Sequence, residues 1–441
     1  MTAEGQKSLM TRNVLPATQT MATLDPHNLV IELPKHTQAE LAAACEGARE
    51  SEAAMLAAHE LTHWYDIVGT TWGQSYLDIL FAAFDRNLSH PAPAIEAYPE
   101  ALALFDADLS ILFPSYYKYV MPNAKPRTGP GEWQMQLTMG ARIAPDGRQD
   151  ETDPILFVRF QDGAREIARQ PVSVGSLLEL RAVQAEVLAF VELTPLRPRE
   201  ERRVEEVIYQ REHLKLFYHP ELTTYSAAAH LLSRTFPANT EAGLVLTLGA
   251  EIAHLCLNVH PTHFARLTPP ADLRDAKGRR VRGFKTRADR GYLFACLSHL
   301  LVTGQAAHPN AAPMTAALRV AGLPEAEVVF NQAQRFIERR RINSLQSVEL
   351  RHIRAALQAA GLAVLAHRRN NSGRVAIADW ANLPAPVMMD FEAETFTVGT
   401  EVLSVADVDF LNACWTNAQQ VQRQALRAGR GLDFQFSDFV Y

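Results

Sequence analysis

Cysteine is scarce in this sequence and never paired. Cys45, Cys256, Cys296 and Cys414 are the four among 441 residues, with no C-x-x-C spacing, so a disulfide scaffold is excluded and free thiols are expected. Long apolar runs are missing too, since none approaches the ~18 residues that a membrane span needs. The opening MTAEGQKSLMTRN has neither the charged start nor the apolar run and cleavage site of a signal peptide. These absences predict a cytoplasmic protein with no membrane role. Charge of one sign is also lacking. The 49 acidic residues nearly balance 43 Lys and Arg, for a net charge of -6, so no overall field draws nucleic acid, which is not an expected partner. No fixed repeat period occurs, and a solenoid is unsupported.

What is present is an ordinary globular composition, 47% apolar and 21% charged, long enough for two or three units. Residues 1–25 are polar and aperiodic and predict a weakly ordered arm. Asn28 to Leu33 reads as a strand stopped by Pro34, and Thr37 with Glu40 has the spacing of a capping box. A helix is expected after Gly47, ending at Gly69. Residues 74–120 have helical spacing broken by Pro91, Pro93, Pro99 and Pro114, which predicts short helices joined by loops. Alternation from Trp133 to Met139 and from Ile155 to Phe160, around a Pro145-Asp146-Gly147 turn, predicts a small sheet. Ser173 to Leu193 then reads as one helix. The charged, proline-bearing stretch from Thr194 places a boundary at 195/196. The expected fold class is therefore α+β and mainly helical. Residues 26–195 would form a domain with a small sheet, and 196–441 a mostly α-helical one with apolar helices near 225–236, 243–259, 291–303, 314–321 and 350–366. The tail from Phe434 to Tyr441 reads as extended.

The chemistry is concentrated at His59-Glu60-Leu61-Thr62-His63. On a helix, residues i and i+4 stand one above the other, so two imidazoles can address one cation. Glu60, one step round, can reach a water on that cation and take its proton. Ala57, Leu61, Trp64 and Val68 make an apolar stripe on the opposite face, so that side buries while the histidines look into a cleft.

A zinc hydrolase needs a third protein ligand and an open fourth position. Asp66 shares the histidine face but lies a turn too far along an unbroken helix to close a tetrahedron, which makes it a supporting carboxylate or a helix-end residue, with a ligand role as the alternative. Glu179, 116 residues after His63, is an acid inside an otherwise strongly apolar helix. It shares a face with Ala182, Val183 and Glu186, and two carboxylates there are costly to bury unless a cation or a histidine stands opposite. Glu179 is the preferred ligand, with Glu186 as support or substitute. The alternative is a solvated acidic face.

A His-Glu-x-x-His helix followed by a glutamate on a later helix resembles the gluzincin branch of zinc metallopeptidases, over roughly residues 28–193. The resemblance implies a zincin-like fold, a Zn2+ cofactor, and a strand, near 28–33 or near 155–160, that aligns substrate backbone. It also implies a His or Tyr donor to the transition state, which no motif here locates. The extension that defines metzincins is absent, because Asp66 and Gly69 stand where glycine and histidine are required.

Glu251 with His254, His260 and His263 imitates a second cluster, but Ala250 replaces the leading histidine and Pro261 interrupts the helix, so a donor role toward the cleft is the most these residues offer. Tyr116, Tyr117 and Tyr225 read chiefly as packing residues. Two basic stretches, Arg274 to Arg290 and Arg339-Arg340-Arg341 with Arg351 and Arg354, read as solvated loops or interdomain contacts. The expected activity is peptide hydrolysis by zinc-activated water, with Glu60 as general base and a peptide or protein substrate, selective for few targets. The rival expectation is a catalytically inactive zincin-like protein whose C-terminal helical region binds a partner.

Overall fold

The structure, a computed structural model, describes residues 22–47, 51–89, 98–124, 133–143, 149–234, 236, 240–275, 278–303, 312–340 and 342–430. The chain is α+β and mainly helical. It opens with β1 (Thr23–Asp25) and β2 (Val30–Glu32), an antiparallel pair. Helix α1 (Gln38–Cys45) follows, started by a reciprocal capping box between Thr37 and Glu40. Helix α2 (Glu52–Gly69) carries the histidine motif and stops where Thr70 turns extended. Of the predicted N-terminal arm, residues 1–21 lie outside the described residues. Its last residues are ordered strand, because Leu24 is fully buried against the core.

The short helices expected over 74–120 are instead two long ones, α3 (Thr71–Ser89) and α4 (Tyr98–Tyr116). Pro99 falls in the first turn of α4, where its missing N–H has no intrahelical partner to lose, and Pro114 falls in the last turn. Pro91 and Pro93 lie outside the described residues. Strand β3 (Tyr119–Val120) leads to a hairpin of β4 (Gln134–Ile143) and β5 (Gln149–Asp162), whose turn at Pro145-Asp146-Gly147 lies outside the described residues. A further strand, β6 (Arg165–Pro171), completes an antiparallel sheet in the order β3-β6-β5-β4. Helix α5 (Val174–Leu193) returns across the molecule.

Beyond it lie α6 (Arg199–Phe217), α7 (Thr223–Ser233), α8 (Ala242–Asn258), α9 (Arg279–Thr286), α10 (Arg290–Thr303), α11 (Ala312–Val320), α12 (Ala326–Glu338) and α13 (Val348–Asn370). Four two-residue strands, β7 (Pro384–Ala385), β8 (Met388–Met389), β9 (Thr395–Phe396) and β10 (Thr400–Glu401), precede α14 (Val405–Arg430). The tail from Phe434 lies outside the described residues.

The two halves of the chain share their cores. Strand β8 pairs in parallel with β2, so that the first sheet runs β1-β2-β8-β9. One apolar cluster joins Leu24, Trp64 and Phe81 to Leu357, Val364 and Leu411, and a second joins Val158 and Leu180 to Leu232, Ile252 and Phe294. The boundary expected at 195/196 thus falls between two helices over continuous cores. Helix α2 is the axis of this arrangement, packed on α5, α13 and β1. Its approach to α13 is close enough that a Cβ at Gly361 would stand 2.1 Å from the Val68 carbonyl oxygen.

Candidate metal centre

His59 and His63 project from one face of α2 with ring centroids 4.9 Å apart and planes at 79°. Glu179 projects from α5 between them. Its Oε2 lies 3.5 Å from His59 Nε2 and its Oε1 lies 3.7 Å from His63 Nε2. One ligand atom from each of the three residues falls within 4.8 Å of the others, and among the described residues this is the one His/Cys/Asp/Glu group so arranged.

The distances matter. They exceed the 2.7–3.2 Å of a good hydrogen bond, and both Glu179 oxygens and His63 Nδ1 are buried without a hydrogen-bond partner. Atoms held about 2.0–2.1 Å from a tetrahedral zinc stand about 3.3–3.4 Å from one another, close to the 3.5 and 3.7 Å between Glu179 and the two histidines and tighter than the 4.8 Å that bounds the group as a whole. A buried carboxylate that makes no hydrogen bond is expensive. A cation between the three side chains would remove that cost, so the residues present fit a zinc ion by donor type, number and spacing.

Glu186, two turns along α5, completes the surroundings of His59 by placing Oε2 3.4 Å from Nδ1. A carboxylate on the far ring nitrogen fixes the tautomer that leaves Nε2 a ligand and raises its basicity. Burial pulls His59 down, but Glu179 and Glu186 outweigh it and hold the imidazole well above its ordinary pKa, so a metal ion binding there would have to displace the proton on Nε2. Burial drives His63 well below its ordinary value, helped by His59 and Arg181, so that its ring is neutral as a ligand must be. Burial also raises Glu179, with His59 opposing.

Asp66 belongs to a different structure. It is fully buried and bound by two guanidinium groups, Arg181 Nε at 2.9 Å from both its oxygens and Arg368 Nη1 at 2.6 Å from Oδ1. Arg181 also donates to the carbonyls of Ala250 and Gly373. Asp66 therefore ties α2 to α5, α8 and α13 and does not join the ligand group, where both histidines face Glu179 instead. Sequence gave one signal of this network, a lone arginine at 181 in an apolar helix. Its second partner, 302 residues from Asp66, left no local trace.

Glu60 lies 7% exposed beside the ligands. Burial lifts its carboxyl to about 7, while His59 and the backbone N–H of Leu24 pull it down. A carboxyl titrating near neutrality suits a group that must both take and return a proton. Helix α2 is buried on nearly every side. His59 and Glu186 retain 12% and 22% side-chain exposure, and half-buried Tyr225 on α7 stands beside them with its ring centroid 6.3 Å from that of His59. Periodicity could not single out Tyr225, which is one of several tyrosines on apolar helices.

His254, His260 and His263 do not join this group. His254 stacks on Phe330, His260 Nδ1 meets the Thr262 hydroxyl, and His263 Nε2 meets the Gln332 carbonyl. Neither strand proposed for substrate alignment has a free edge, since β2 runs between β1 and β8 and β5 between β6 and β4. Arg290, from the first basic stretch, is buried and donates to the carbonyls of Cys256 and Val259, so it serves packing. Among the described residues, no helix is long and apolar enough to cross a membrane. No family model, curated protein or solved structure matches the chain.

Proposed function

We propose that the chain is a zinc-dependent peptidase of the His-Glu-x-x-His type, selective for few protein targets. The observation that carries this reading is the meeting of His59, His63 and Glu179 at ligand spacing, with both carboxylate oxygens of Glu179 buried and without hydrogen-bond partners. Zinc held there would polarise a substrate carbonyl and make a bound water acidic near neutral pH. Glu60 takes the proton of the attacking water and delivers it to the leaving amine as the C–N bond breaks. Glu186 accepts a hydrogen bond from His59 Nδ1 and keeps that ring oriented. Tyr225 donates its hydroxyl proton in a hydrogen bond to the carbonyl oxygen as charge develops there.

The test is incubation of the full zinc-replete chain with a broad peptide library. Cleavage at a restricted set of bonds is expected, and Glu60→Gln should keep one zinc per chain while abolishing it. A second reading is favoured by one feature of the site: Glu60 already accepts the Leu24 N–H and is nearly enclosed. A catalytically silent metal centre that braces a partner-binding protein would have this character. Stoichiometric zinc with no cleavage of any peptide would overturn the peptidase reading in its favour.

A further inference from the structure

The second basic stretch builds a cavity far from α2's histidines in sequence. Asp78 and Phe81 of α3, Arg339 and Arg340 at the end of α12, Ser344 of the following turn and Arg354 of α13 contribute to the lining of a space of about 420 Å³, within the range of small-molecule sites. Its charges do not balance. Arg354 Nη2 donates to Asp78 Oδ1 and to Gln74 Oε1, each at 2.7 Å, while Arg340 Nη1 donates to Asp78 Oδ2 at 2.7 Å. Two guanidinium groups thus share one carboxylate, and Arg339 adds a third that forms no ion pair among the described residues. The next acid along α3, Asp85, is already taken by the backbone N–H groups of Gln346 and Ser347.

Arg354 is 1% exposed, and its Nη1 is buried with no hydrogen-bond partner. A buried guanidinium with an unused donor and only a shared counter-charge is costly. Its neighbour is held in place: Arg340 donates Nε to the Phe336 carbonyl at 2.9 Å, and its guanidinium lies 3.5 Å from the centre of the Phe336 ring. Three arginines line this space, Arg339 exposed, Arg340 half-buried and Arg354 buried behind them, and guanidinium groups recognise a tetrahedral oxyanion through paired N–H donors. Ile342 and Leu345, both half-buried, supply an apolar wall beside them.

We infer that this cavity binds a small phosphomonoester, its phosphate held by Arg339 and Arg340 with Arg354 behind them and its organic body laid on half-buried Ile342 and Leu345. The proposal is independent of the metal centre. It is tested by isothermal titration of the full chain with inorganic phosphate and with phenyl phosphate at constant ionic strength. Saturable binding of one ligand per chain is expected, tighter for phenyl phosphate. Arg339→Gln should weaken both by about tenfold or more. Arg339 is exposed and outside the ion pairs, so that variant should fold. Asp78→Asn, which removes the competing carboxylate, should tighten phosphate binding and enlarge the rise in melting temperature that phosphate causes. Absence of saturable binding, an unchanged Arg339→Gln, or an Asp78→Asn that folds and binds more weakly would each overturn the proposal, and equal affinity for the two probes would overturn the placement of the organic body.

Discussion

Asp66 and Glu179 are both fully buried acids between α2 and α5, and their partners separate them. Asp66 is neutralised by the chain itself, through Arg181 and Arg368. Asp66→Asn leaves two buried guanidinium groups under-compensated and should cost about 3–5 kcal/mol of stability in urea unfolding, where a loss below about 1 kcal/mol would contradict the assignment. Glu179 has no such compensation among the described residues beyond the two imidazoles. In the presence of chelator Glu179→Gln should therefore cost far less than Asp66→Asn, yet it should abolish stoichiometric zinc binding, read by elemental analysis after dialysis. Tyr225→Phe should leave zinc content unchanged and lower kcat by about tenfold to a thousandfold, as expected for loss of one transition-state donor. The sequence placed His59, Glu60, His63 and Glu179 because an i, i+4 pair and an acid in an apolar helix are local signals. Tyr225 and Arg368, the second partner of Asp66, come from distant elements, and residue type alone does not reveal them.

Among the elements, β1 is held by a buried cluster that periodicity did not disclose. His27, fully buried between β1 and β2, lies 3.0 Å from Asp25 and 3.3 Å from Asp108 of α4, stacks on Trp415 of α14 at 3.5 Å, and shares Asp108 with the Tyr76 hydroxyl of α3. Burial opposes its protonation, but the two aspartates win and raise it from 6.5 to about 9. A pKa higher in the folded than in the unfolded chain stabilises the fold fully below pH 6.5 and loses that contribution as pH rises through about 9. The shift is worth roughly 3 kcal/mol. Urea unfolding of the wild type should show that loss between pH 6.5 and 10, relative to His27→Gln; equal pH profiles for the two would contradict it. Helices α2 and α5 were legible because they are long and apolar. Helices α6 and α14 were not, since α6 alternates acids with arginines and α14 mixes apolar and polar residues in nearly equal number. The strands β7 to β10, two residues each, carry no alternation to read and exist because the first sheet and the α13–α14 connection hold them.

Across the whole molecule, a sequence boundary drawn from charge and proline did not mark a break in the core. Residues 26–195 leave β2 without β8 and leave the apolar face of α2 without Leu357 and Val364. Expressed alone, that fragment should show no cooperative thermal transition, and a sharp transition near that of the full chain would contradict the shared core. The same shared core places the candidate metal centre where α13 and α5 together fix α2. The most direct test of the account is X-ray absorption at the zinc edge on the zinc-loaded full chain. It should show a four-coordinate ion with only nitrogen and oxygen neighbours at about 2.0–2.2 Å, including two imidazoles, and the imidazole signal should fall in His63→Ala. Sulfur neighbours, or a spectrum indistinguishable from hydrated zinc, would contradict the claim that His59, His63 and Glu179 hold one metal ion.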